Sequence, residues 1–135
     1  QSYNVGFSTN LKNLPNIELA YDFSISDSQV QTFYVDNPSV TLEYFFLDAF
    51  SFTSEYSFYH NRNKAKTIDT EYDFLTASLS YQKKDSKLEY KLSATNLLNT
   101  TSLNDNSFNA LGGSTNFSSY YVQPRYIILS LKYNL

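Results

Sequence analysis

Along most of the chain, apolar and polar residues alternate with period two, the spacing that puts every second side chain on one face of a strand. Tyr3, Val5, Phe7 and Leu11 alternate with Ser2, Asn4, Gly6, Ser8 and Asn10, and Ile17, Leu19, Tyr21, Phe23 and Ile25 alternate with Glu18, Ala20, Asp22 and Ser24. A weaker stretch at 30–36 sets Phe33 and Val35 against Thr32 and Tyr34. The longest segment, 40–59, carries Val40, Leu42, Tyr44, Phe46, Phe50, Phe52, Tyr56 and Phe58 on one side. Asp48 interrupts that greasy side, and Phe45 and Leu47 interrupt the polar one. Segments 71–83, 87–98 and 120–135 repeat the pattern with Leu75, Ala77, Leu79 and Tyr81, then Leu88, Tyr90, Leu92 and Ala94, then Ile127, Leu129, Leu131, Tyr133 and Leu135. The pattern predicts an all-β fold, an antiparallel meander of about seven long strands.

Two architectures accommodate such strands. One is a soluble antiparallel sandwich with one wet face, which calls for frequent turn residues at ~8–12-residue spacing. Three Gly and three Pro are few for that. The other is a transmembrane outer-membrane β-barrel, whose ~10-residue segments alternate lipid-facing apolar and lumen-facing polar residues between aromatic girdles. Tyr72 and Tyr81, and Tyr44, Phe46, Tyr56 and Phe58, are the expected girdle positions. The breaks fall at 12–15, 26–29, 36–39, 60–70, 84–86 and 99–119. Long breaks alternate with short ones, and short periplasmic turns then orient the chain with its C-terminus in the periplasm.

Composition narrows the chemistry. Of 135 residues, none is Cys and one is His (His60), so thiol catalysis, disulfides, thiolate metal sites and His clusters are all excluded. With 10 Lys and Arg against 13 Asp and Glu, no basic field exists to hold nucleic acid. The longest apolar runs, such as Tyr44 to Leu47, fall far short of the ~20 residues of a membrane-spanning helix. No nucleophile, base and orienting group stand together, so no enzyme activity, metal or cofactor is expected. Seven is an odd count where bacterial single-chain barrels have an even one, and Gln1 follows neither an initiator Met nor a signal peptide. Residues 1–135 therefore read as one C-terminal segment of a larger barrel domain.

From Tyr81 onward the residues carry a resemblance. The run Tyr81-Gln82-Lys83-Lys84-Asp85-Ser86-Lys87, the Leu92-Ser93-Ala94-Thr95-Asn96-Leu97-Leu98-Asn99 strand end, Val122-Gln123-Pro124-Arg125 and the ending Leu129-Ser130-Leu131-Lys132-Tyr133-Asn134-Leu135 resemble the C-terminal end of Bacteroidetes TonB-dependent outer-membrane receptors. The resemblance covers about the last 55 residues, and the Leu11-Lys12-Asn13-Leu14-Pro15-Asn16 turn is compatible with it. It implies a barrel of about 22 strands with an N-terminal plug, of which this chain holds the final strands. It further implies wall and closing strand of an importer for a scarce nutrient, with outer-membrane lipid, lipopolysaccharide, the barrel-assembly machinery, the remaining barrel and plug, a TonB complex and a surface lipoprotein as partners. Two other readings stay open: a small complete eight-stranded barrel acting as adhesin or anchor, and a receptor-like barrel serving as scaffold in an outer-membrane complex.

Individual residues follow from this reading. Leu131, Tyr133 and Leu135 resemble the terminal signal by which barrels are recognised for assembly, where an open last strand pairs by strand addition. Glu18, Asp22, Glu43, Glu55, Glu89 and Lys91 share the polar parity and are expected to face the lumen or a plug. Arg62, Lys64 and Lys66 form a basic loop, placed externally by the orientation above, and Arg125 has lipid-facing parity at the external end of the last strand. Loop 99–119, with Gly112-Gly113 near its middle, is expected to be irregular and to carry recognition.

Overall fold

A computed structural model describes residues 1–27, 31–109 and 114–134. All regular structure among them is β. A seven-stranded antiparallel sheet runs in the order β1 (Ser2–Ser8), β2 (Asn16–Asp27), β3 (Thr32–Phe46), β4 (Phe50–Asn63), β5 (Asp69–Tyr81), β6 (Leu88–Thr95) and β9 (Tyr126–Tyr133). Between β6 and β9 the chain leaves the sheet as a two-stranded ribbon, β7 (Ser102–Asn109) and β8 (Ser114–Tyr121). The connections 9–15, 47–49 and 82–87 lie at one end, here called proximal, and 28–31, 64–68 and 96–125 at the other, distal end.

The expected meander is present, with its strand boundaries moved in four places. Residues 36–39 are not a break: β3 runs unbroken through Asp36, Asn37, Pro38 and Ser39, and the weak 30–36 strand is its first half. The ladder to β4 passes over Asn37 and Pro38, which removes the need for the N–H that proline lacks. Conversely, 40–59 is two strands. Leu47 and Asp48 both have a φ of 52°, and the Ala49 amide donates to Phe46 O at 3.4 Å. Phe46 then pairs with Phe50, so a three-residue turn reverses the chain while even-numbered residues stay on the same face. A reversal that keeps parity leaves no break in the alternation.

The third correction is the 99–119 segment, which forms the β7–β8 ribbon and its approach instead of an irregular loop. Gly112 and Gly113 lie outside the described residues. The supposed 60–70 loop shrinks to 64–68, where buried Asn63 accepts from the Thr67 and Ile68 amides through Oδ1 at 2.9 and 3.1 Å. With 9–15 longer than 64–68, connection length no longer alternates, and the orientation drawn from that alternation loses its support.

Buried Asn96 ties down the ribbon's base. Its Nδ2 donates to Thr100 O at 2.8 Å and to Gln123 O at 2.9 Å, while its Oδ1 accepts from the Thr100 amide at 2.9 Å. Asn tolerates the left-handed conformation required here, with φ at 53°. Arg125 precedes β9 and donates to Leu97 O and, through its amide, to Asn99 Oδ1, so it fastens the same base.

Candidate functional site: the two faces of the sheet

Cross-strand register assigns every strand residue to a face, because paired residues point the same way. One face is apolar from edge to edge: Tyr3, Val5 and Phe7 on β1 meet Phe23, Tyr21 and Leu19 on β2. The row continues through Val40 and Leu42 on β3, Phe52 and Tyr56 on β4, Leu75 and Leu79 on β5, Leu92 on β6 and Leu129 on β9. Among the described residues no second layer covers it. Val5 is 69% and Leu129 74% exposed, and the one hydrophobic residue buried among those described, Ile68, lies in a distal turn. The chain exposes 9775 Å², against about 7200 Å² for a compact monomer of its 15.6 kDa.

The apolar band is slanted. On β6 and β9 it spans Leu88–Ala94 and Ile127–Tyr133, close to the proximal turns, whereas on β2 it spans Ile17–Ile25. Followed through the register, its centre climbs about seven residues over the six steps from β9 to β1. At ~3.3 Å per residue and ~4.8 Å between strands, a band level in space then corresponds to strands tilted by about 40°. Barrel strands tilt by ~35–45°.

Aromatic ring contacts mark both margins. Proximally, Tyr44–Phe46, Phe46–Phe50, Phe50–Tyr81 and Tyr81–Tyr90 follow one another across β3 to β6 at 5.2, 5.4, 4.8 and 6.3 Å. Distally, Tyr3, Phe23 and Tyr34 stack across β1 to β3 at 6.4 Å each. Tyr56 and Phe58 keep the apolar parity on β4, but Tyr72 does not: it stacks on Tyr59 at 4.7 Å on the opposite face, because its position alternates with Tyr81.

Above the band on β3, β4 and β5, the same face turns charged. Arg62 binds Asp36, Asp36 Oδ1 accepts from the Tyr21 hydroxyl at 2.5 Å, and the Arg62 guanidinium lies 5.8 Å from the centre of the Tyr34 ring. His60 Nδ1 lies 3.0 Å from Arg62, and its Nε2 2.5 Å from Asp69. The signal was present in the sequence: Asp36, His60, Arg62, Asp69, Glu71 and Asp73 all fall on apolar parity. Arg62 is thus a strand residue engaged by a carboxylate, not part of a loop, while Lys64 and Lys66 do occupy the 64–68 turn.

The opposite face is polar. Glu18, Thr41 and Glu55 form one row across β2, β3 and β4, with Glu43 diagonal to both glutamates, and Glu18 and Glu43 line a hollow of about 340 Å³ with Ser8, Thr9, Asn16 and Thr41. Asp22 lies distally and accepts from Asn4 Nδ2. Glu89 and Lys91 lie apart from these on β6; Glu89 faces Lys132 at 3.9 Å, and Lys91 faces Ser130. Leu131 and Tyr133 point to the apolar face opposite Tyr90 and Leu88, and Leu135 lies outside the described residues. Among the described residues no three His, Asp or Glu side chains converge as a metal site would require, and no helix is long and apolar enough to cross a membrane. What remains is a surface chemistry: one face suited to hydrocarbon, the other to water. No protein-family model matches the sequence, and neither a curated protein nor a solved structure matches it significantly.

Proposed function

We propose that the chain is a section of the wall of an outer-membrane β-barrel in a Gram-negative bacterium, the C-terminal part of a TonB-dependent nutrient importer. The observation that carries the membrane reading is the slanted apolar band, exposed along its length and bounded by contacting aromatic rings on both margins. Hydrocarbon about 25 Å thick, with aromatic side chains at each boundary, fits such a band. The polar face then borders the lumen, where Glu18, Glu43 and Glu55 meet water or a plug. The importer assignment rests on the resemblance of Tyr81 to Leu135 to receptor C-termini. In that setting the wall and its distal ribbon surround a ligand path, a plug pulled by a TonB complex opens it, and a surface lipoprotein delivers the nutrient. Leu131 and Tyr133, at the terminal edge, meet the assembly machinery first.

Membrane fractionation of the complete protein, followed by gel electrophoresis with and without boiling, tests the barrel. Recovery with outer membranes and a boiling-dependent mobility shift are expected. A soluble protein whose mobility ignores boiling refutes it.

A further inference from the structure

Five side chains link four strands at the distal end of the sheet. The Tyr21 hydroxyl on β2 donates to Asp36 on β3, Arg62 on β4 binds Asp36, and His60, also on β4, bridges Arg62 to Asp69 on β5. Donor and acceptor roles along this chain fix where the imidazole carries its hydrogen. Arg62 has only N–H groups to offer, so its Nη1, 3.0 Å from His60 Nδ1, donates, and Nδ1 accepts through its lone pair. An ionised carboxylate only accepts, so Nε2, 2.5 Å from Asp69 Oδ1, carries the hydrogen. His60 is therefore a neutral imidazole in the Nε2–H tautomer. Both hydrogens of Arg62 Nη1 are then in use, one on Asp36 and one on His60.

A second proton has one place to go, Nδ1, the atom that faces the guanidinium. There it sets N–H against N–H and charge against charge. The Arg62–His60 contact is thus made while Nδ1 is bare and lost as pH falls through the range in which imidazole takes its second proton. The ring is 22% exposed, so water can deliver that proton without unfolding the sheet. Carboxylates on both neighbouring strands are in place to pair the protonated ring. Asp36 on β3 and Glu71 on β5 are the cross-strand partners of His60, and Asp69 and Asp73 share its face from β5, Asp73 held by the Tyr56 hydroxyl at 3.4 Å. The cations nearby are Arg62 and, in the 64–68 turn, Lys64 and Lys66. The rings beside the pair, Phe58 at 6.2 Å from the imidazole and Tyr34 under Arg62, carry no charge. We propose that His60 is an acid-released clasp. Neutral, it joins β2 to β5 through one unbroken chain of side chains. Protonated, it keeps Asp69, lets go of Arg62, and frees the distal ends of β4 and β5 with the turn between them. The clasp is built from the distal cluster alone, so it operates whether the apolar band meets lipid or water.

Nitrogen NMR reads the tautomer directly, and His60 is the one histidine of these 135 residues. The complete folded protein, labelled with heavy nitrogen in His and Arg, is measured at about pH 8 and about pH 5, the limits of the range in which imidazole titrates. The His60 signals are those absent from His60→Gln or, should that variant not fold, from His60→Asn. At the higher pH the expected pattern is a bare Nδ1, a protonated Nε2 and a through-space contact from Nδ1 to the Arg62 guanidinium. At the lower pH both ring nitrogens are protonated and the contact is gone. An Nδ1–H tautomer or an imidazolium at the higher pH overturns the clasp. So does a ring still neutral at the lower pH, or a contact that survives with both nitrogens protonated. Hydrogen exchange reads the release itself. Corrected for the intrinsic effect of pH, exchange of peptides covering 60–70 is expected to quicken in acid while that of 126–133 does not. In His60→Gln the amide oxygen accepts from Arg62 and the amide nitrogen donates to Asp69 at either pH, so the difference is expected to vanish. No quickening in the parent protein, or equal quickening in His60→Gln, refutes the release.

Discussion

Leu129→Arg separates a wall in lipid from a sheet in water. Leu129 lies on the outward row Ile127, Leu129, Leu131 and Tyr133, is 74% exposed, and faces Leu92. In water, such a residue tolerates Arg at a cost within about ±0.5 kcal/mol, because little contact is lost and the new charge is hydrated. In a bilayer, the guanidinium enters hydrocarbon near the middle of a short apolar stretch, at a cost of ~2–4 kcal/mol. That range lowers the folding constant roughly 30- to 900-fold. Its partner variant is Ser130→Glu, one residue along and on the other face, where the new carboxylate lies opposite Lys91. A cross-strand pair of opposite charge contributes ~0.2–1 kcal/mol, so this variant is expected to be neutral or slightly stabilising. Urea titration of the complete protein in phosphatidylcholine vesicles, followed by circular dichroism and by the unboiled gel band, reads both. A Leu129→Arg cost below ~0.5 kcal/mol, or equal costs for the two variants, refutes the assignment of faces.

Further outcomes follow from the same geometry. Asn96→Ala leaves the Thr100 amide and the Thr100 and Gln123 carbonyls without the buried side chain that serves them; a loss of ~1–3 kcal/mol is expected, with hydrogen exchange accelerating at 96–101 and 122–125 ahead of the sheet. Replacing Leu47-Asp48 by Asn-Gly suits two consecutive positive φ angles and is expected to raise stability by ~0.5–1 kcal/mol in the same titration. A double-mutant cycle with Asp36→Asn and Arg62→Gln is expected to give a coupling of ~0.5–1.5 kcal/mol that shrinks at high salt; a coupling of zero would mean that the pair is only a solvated contact.

The seven-stranded sheet was legible in the sequence because a sheet with two different faces enforces period two, and its strands carry it from Tyr3–Phe7 to Ile127–Tyr133. Boundaries were less legible, for definite reasons. Asp36-Asn37-Pro38-Ser39 has turn composition, yet the chain stays extended there because Tyr21 and Arg62 satisfy Asp36 and the ladder bypasses Pro38. Leu47-Asp48-Ala49 lacks the glycine or asparagine that announces a hairpin, and its three-residue length preserves parity. The one trace was local: Phe45, Leu47 and Asp48 break the alternation where the chain reverses. The β7–β8 ribbon was hidden differently, since Ser, Thr and Asn dominate both of its strands and give period two nothing to mark. Of the candidate residues, Glu18, Glu43 and Glu55 come together through register alone, whereas Arg62 was misplaced because its Asp36 partner lies 26 residues away in sequence.

The tie at the root of the ribbon bears on how the wall tolerates change. Every pairing in the sheet joins neighbours along the chain except β6 with β9, which are separated by the whole of 96–125. Closing a loop of about 30 residues costs only ~1.4 kcal/mol more than closing one of six, and Asn96, Asn99 and Arg125 pin its two feet together at the head of the β6–β9 pairing. The seam between β6 and β9 is therefore indifferent to what stands above it. Between those feet the ribbon can lengthen, shorten or exchange its tip over evolutionary time while the strands beneath keep their register, so the protruding part can diversify without rebuilding the sheet.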